Sequence, residues 1–131
     1  MRITTIYSWY SNIGKLVTIL GFMVITYLVF TQTKVSILGD LDKLDDKVKH
    51  ILAFIFLAFG LVHYWHVKWS WTTIILLVYG IGIEVVQYFI PNRTTSLTDV
   101  LADILGILLG LFGHFVINTL SKPFKEKMRI S

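Results

Sequence analysis

Four apolar runs, each long enough for a membrane helix, are separated by short polar stretches. The first extends from Ile13 to about Phe30, with Lys15 near its start, and at 1.5 Å per residue it approaches the roughly 30 Å hydrocarbon core of a bilayer. It is longer than the apolar part of a signal peptide, and Phe30, Thr31 and Gln32 offer no small-residue cleavage site, so it is expected to remain as a helix. From Gln32 to Lys49 the chain turns polar, with Asp40, Asp42, Asp45 and Asp46 alternating with Lys43, Lys47 and Lys49. Asp45 or Asp46 suits the N-cap of the second run, which begins at Val48 and closes in the cluster His63, Tyr64, Trp65, His66, Lys68, Trp69 and Trp71. Such a cluster has the composition of an interfacial belt. The third run, from Thr72 to Ile90, stops at Pro91-Asn92, and the fourth begins between Leu97 and Asp99 and ends near Leu120, before Lys122, Lys125, Lys127 and Arg129. The pattern predicts one all-α domain over 1–131, an integral membrane bundle of four transmembrane helices at about 13–31, 48–65, 71–90 and 98–120.

Composition narrows the picture to membranes. A hydrophobic content of 55%, a charged content of 15% and a mean hydropathy of +0.71 exceed what a soluble domain of this size can bury. The net charge of +4 comes from residues that flank apolar runs and do not form one basic face, so headgroup anchoring accounts for it and no nucleic-acid partner is expected. There is no cysteine, which leaves oxygen and nitrogen for any site chemistry.

Four helices place both termini and the second loop on one side. Arg2, Lys15, Lys68, Lys122, Lys125, Lys127 and Arg129 lie there, against Lys34, Lys43, Lys47, Lys49 and Arg93 on the other. The positive-inside rule then predicts cytoplasmic termini.

This topology also brings distant polar residues together. Asp46, Lys47 and His50 open helix two at the level where Glu84 and Gln87 end helix three and where Arg93, Ser96, Asp99 and Asp103 follow. Asp46 with His50, Glu84 with Gln87, and Asp99 with Asp103 each have the spacing of one helix face. An ionisable group at the centre of a membrane helix costs roughly 2.5–3.5 kcal/mol on insertion scales, so such groups mark function unless a structural network explains them. The bland reading is such a network, with Arg93 paired to Glu84 or Asp99 and His50 bonded to a carboxylate. Four carboxylates around one arginine and one histidine exceed what helix register requires, which favours a pocket. Along helix four, Ala102, Gly106 and Gly110 form a small-residue row for close helix packing, and Gly80 and Gly82 are read the same way on helix three. His50, Glu84, Asp99 and Asp103 supply metal-ligand atom types without an established ligand spacing, so no metal and no cofactor is expected. His63, His66 and His114 fall near the opposite face, where histidine beside tryptophan is ordinary interfacial composition and a second metal or haem site is the weaker reading.

The polar residues carry a resemblance. Asp46-Lys47-x-x-His50, Glu84-x-x-Gln87, Pro91-x-Arg93, Ser96-x-x-Asp99 and Ala102-Asp103-x-x-Gly106, in that order, are similar to the pattern of the VanZ-like family of small bacterial membrane proteins, over about Asp46 to Gly113. The family pattern usually has Asn where this chain has Asp103. The resemblance implies a multi-pass protein of the bacterial cytoplasmic membrane, in a family whose founding member is associated with resistance to the glycopeptide teicoplanin. Three functional expectations follow. In the first, Arg93, Lys47 and His50 bind an anionic lipid or lipid-linked cell-wall precursor headgroup, or the acylated glycopeptide, while Glu84, Asp99 and Asp103 orient these cations and Asp46, Gln87 and Ser96 complete the pocket. In the second, Glu84 or Asp99 as base, His50 as acid and Arg93 as phosphate clamp hydrolyse or transfer a headgroup. In the third, the chain is an accessory subunit bound to other membrane proteins.

Overall fold

The structure, a computed structural model, describes residues 3–30, 46–90 and 97–130. Four helices follow in chain order: α1 (Ile3–Phe30), α2 (Asp46–His63), α3 (Trp69–Tyr88) and α4 (Leu97–Ile130). Within α1, α3 and α4, the segments Thr5–Leu28, Trp69–Tyr88 and Leu97–Lys127 are long and apolar enough to cross a membrane. α2 has 18 residues, opens on Asp46, Lys47 and Lys49, and is not one of these. It packs against all three other helices.

Two helices outrun their apolar stretches. α1 starts at Ile3, ahead of the run that begins at Ile13, and α4 continues to Ile130, through Pro123 and past Leu120. Hydropathy marks where a helix meets lipid, whereas backbone hydrogen bonding continues beyond it; at 34 residues and 1.5 Å per residue, α4 is roughly 51 Å long, well over the thickness of the hydrocarbon core. Pro123 forfeits the bond to the Thr119 carbonyl, in a stretch where Lys122, Lys125 and Lys127 are exposed and water can satisfy that oxygen. α3 ends as its sequence requires. The Phe89 and Ile90 amides bond the carbonyls of Val86 and Gln87 at 3.1 Å each, a tightening of the last turn, and Pro91 has no amide to continue it.

The core consists of Phe54, Leu57 and Ala58 from α2, Leu76 from α3 and Ile107 from α4. The α2–α4 interface is the most extensive, and Gly106 and Gly110 make it possible. A Cβ at Gly106 would lie 2.6 Å from the Ile51 carbonyl oxygen, and one at Gly110 would lie 2.7 Å from that of Ile55, so the two backbones meet where only glycine fits. Ala102, the first residue of that row, is also buried. Gly82 differs from the expectation of a packing role: a Cβ there would meet nothing within 4 Å. α1 is peripheral, with 11% of its spanning window buried, and is tied to the bundle by the Thr26 to Tyr79 hydroxyl bond of 2.7 Å and by Lys15, whose ammonium lies 5.5 Å from the Trp65 ring centre.

The turn between α2 and α3 is closed by the Tyr64 and Trp65 amides, both bonded to the Gly60 carbonyl, and by the Val67 amide bonded to that of Leu61. His66 adopts φ 54°, the left-handed region that costs an L-residue about 1–2 kcal/mol. His66→Gly is therefore expected to stabilise the fold by about 0.5 kcal/mol, after the greater unfolded-state entropy of glycine is set against the relieved strain. Thermal unfolding in detergent checks this, and a lower melting temperature would show that the His66 side chain contributes more than its backbone costs.

Candidate functional site

The end of the bundle where α2 and α4 begin and α3 finishes is polar. His50 lies one turn into α2, and its Nδ1 is 2.7 Å from Oδ1 of Asp103 on α4. The Asp103 side chain is 1% exposed and that of His50 14%, so the pair is shielded from water on one side and open only at the imidazole. With the carboxylate ionised, Nδ1 carries the proton and donates it, leaving Nε2 as the imidazole's remaining hydrogen-bonding atom. The second carboxylate oxygen, Oδ2, has no hydrogen-bond partner among the described residues and lies against Gly80 of α3, where a Cβ would come within 2.6 Å of it. Gly80 thus makes room for a carboxylate, a more specific task than helix packing.

Glu84 and Gln87 are on the same side of α3, both buried and both engaged by neighbouring groups. Asp99, half-buried, and Glu84 are close enough for their charges to act on His50 together with that of Asp103. Lys47 is exposed one helical turn before His50. The structure therefore brings His50, Glu84, Gln87, Asp99 and Asp103 to one end of the bundle. Asp46 opens α2, but its side chain lies outside the described residues, as do Arg93 and Ser96. No group of three or more His, Asp or Glu side chains is arranged for a metal ion among the described residues.

A histidine held through Nδ1 by a buried carboxylate has its ring orientation set by the protein. It can present Nε2 to a ligand as an acceptor when neutral or as a charged donor when protonated. Three neighbouring carboxylates make the surroundings acidic, so any cationic character at the site depends on His50 and the nearby basic side chains.

A second polar group lies at the opposite end. The Tyr10 hydroxyl is 3.0 Å from Nε2 of His63, and Nδ1 of His63 is 3.1 Å from Nδ1 of His114. Here α1 near its start and α4 in its second half meet the end of α2, which places the start of α1 and the second half of α4 at the same end of the bundle. Read by composition, His63 and His114 are interfacial histidines; the structure joins the two directly through their rings. The antiparallel helix order is the one sequence signal that sets Tyr10, His63 and His114 at a common level.

No curated protein and no solved structure matches the chain. The family comparison agrees with the VanZ-like resemblance. A family model described as VanZ/LLP1 matches residues 2–118, nearly the whole chain, and the protein belongs to that family.

Proposed function

We propose that the polar end of the bundle binds the headgroup of an anionic lipid or lipid-linked cell-envelope precursor in the outer leaflet of a bacterial cytoplasmic membrane. The observation that carries this reading is the buried carboxylate of Asp103 holding His50 at 2.7 Å, an arrangement that fixes a ring at a helix start and leaves Nε2 for a ligand. His50, Lys47 and Arg93 supply the donors and positive charge, and Glu84 and Asp99 limit which headgroups are accepted. The excess of basic residues near the termini supports cytoplasmic termini and hence an outer position for this end. An acylated glycopeptide such as teicoplanin would enter the same layer, which connects the reading to the resistance phenotype associated with the family's founding member.

Native mass spectrometry of the gently purified protein tests this, with Arg93→Ala and Glu84→Gln beside the parent chain. The expected result is a co-purifying anionic lipid that is lost from both variants. The reading is overturned if lipid occupancy and teicoplanin susceptibility are the same in all three, or if a protein partner is retained and no lipid depends on the variants.

The same pair favours one further reading, because a histidine oriented by a carboxylate is also equipped to move protons during headgroup hydrolysis or transfer, with Glu84 or Asp99 as base. A change in lipid species upon expression, abolished by Glu84→Gln, would select chemistry over binding alone.

A further inference from the structure

The terminal end of the bundle holds a cavity that the proposed function does not use. It has a volume of about 310 Å³, at the lower end for small-molecule sites, and it opens between the start of α1, the α2–α3 turn and the second half of α4. That volume suits a headgroup, whose acyl chains would lie in the adjoining lipid. Its described lining residues include Tyr10, His63, His66, His114, Asn118 and Lys125, and none of them is a carboxylate. Hydroxyl, amide, imidazole and ammonium groups without an acid among them are equipped for an anion.

The hydrogen bonds within this lining form a chain whose direction is set by the imidazole tautomers. The Tyr64 hydroxyl donates to that of Tyr10 over 3.3 Å; Tyr10 is 3.0 Å from Nε2 of His63, and the two Nδ1 atoms of His63 and His114 are 3.1 Å apart. A neutral imidazole has one N–H and one acceptor nitrogen. When Tyr10 donates to Nε2 of His63, the His63 proton is on Nδ1 and is donated to Nδ1 of His114, which then carries its own proton on Nε2. The chain thus runs from Tyr64 to a donor at His114. The opposite polarity places an acceptor there, and a bound anion selects between the two. Lys125 is close enough for its charge to act on both imidazoles. His66 lines the same cavity from a left-handed backbone at φ 54°, a conformation normally left to glycine and one that tends to persist where a side chain has a task.

We propose that this cavity is a phosphate site, filled by the phosphate of an anionic lipid headgroup at the terminal side of the membrane or by a soluble phosphate ester. Lys125 supplies the charge, and the Nε2–H of His114 and the amide of Asn118 supply directed hydrogen bonds. Tyr10 and His63 are positioning residues that set the His114 tautomer.

The test uses the full chain, labelled with ¹⁵N-histidine, in phosphatidylcholine nanodiscs. It is titrated with phosphatidylglycerol in the discs and, in a parallel arm, with glycerol phosphate in solution. The imidazole nitrogen signals report the tautomer directly. Phosphatidylglycerol is expected to drive His114 to its Nε2–H form; Lys125→Ala is expected to weaken the response about tenfold, and Tyr10→Phe about threefold with His114 moved toward Nδ1–H. A response to the lipid alone identifies a headgroup site, and one to glycerol phosphate as well identifies a site for soluble esters. Lys125 is exposed, so its variant leaves the fold intact, which an unchanged melting temperature verifies. The proposal is overturned if neither titrant moves the His114 signals, or if the response is the same in Lys125→Ala. His50 reports the far end of the bundle in the same spectra, so the two readings stand or fall separately.

Discussion

Truncation of Asp103 to alanine is expected to destabilise the bundle by about 3 kcal/mol, whereas Asp103→Asn is expected to cost less than about 1 kcal/mol. Asp103 is 1% exposed and accepts the Nδ1 proton of His50, itself only 14% exposed. Alanine leaves that donor without its partner in a site largely closed to water, and the loss is the full cost of an unmade hydrogen bond to a charged group, together with the emptied space beside Gly80. Asparagine keeps an oxygen where Oδ1 lies, loses the charge, and puts its NH2 against Gly80 in place of an Oδ2 that already has no hydrogen-bond partner among the described residues. Combining Asp103→Ala with His50→Leu is expected to reduce the loss to about 1 kcal/mol, because removing both members of a buried pair is far less harmful than removing one. Thermal unfolding in detergent measures all three variants. A melting temperature for Asp103→Ala equal to that of the parent chain would show that the pair contributes nothing to stability. If the double variant is stable but binds no lipid, the pair is retained for recognition.

Much of this arrangement was legible in the sequence, and the unread parts have a common cause. The number and order of the helices follow from apolar runs divided by polar turns, and antiparallel order alone puts His50, Glu84, Asp99 and Asp103 at one level. Spacing could not choose which carboxylate bonds His50. That choice depends on Gly80, whose missing side chain leaves room for Oδ2, and on the close α2–α4 approach that sets Asp103 against His50. Likewise, the helical extensions at Ile3 and beyond Leu120 were hidden because hydropathy reports contact with lipid and not backbone bonding. His63 and His114 have the composition of interfacial histidines, and only their placement with Tyr10 across three helices shows that two tautomers are coupled. In each case sequence marks the level of a group within the bundle, and the partner is selected by which backbones come closest.

That dependence makes Gly106→Ala the second large effect. Its Cβ would lie 2.6 Å from the Ile51 carbonyl oxygen, 2.7 Å from Cβ of Phe54 and 3.2 Å from Cα of Ile51. Two of these three atoms are backbone, so no side-chain rotation relieves the contact and α2 must move away from α4. Alanine in place of glycine favours a helix by about 1 kcal/mol, while overpacking of this kind costs about 1–3 kcal/mol; with main chain obstructing, the larger figure applies and a net loss of about 2 kcal/mol is expected. Gly82→Ala is the matched control, since a Cβ there meets nothing within 4 Å, and it is expected to raise stability by up to about 1 kcal/mol. Thermal unfolding of the two variants should therefore diverge in sign, and a neutral Gly106→Ala would mean that the two helices are not held together at this point. The displacement also reaches the polar site. Asp103 lies one turn before Gly106 on α4 and His50 immediately precedes Ile51 on α2, so a shift at this crossing is transmitted to the 2.7 Å bond between them. Headgroup binding is expected to weaken in Gly106→Ala although no polar atom has been removed, and to be unchanged in Gly82→Ala.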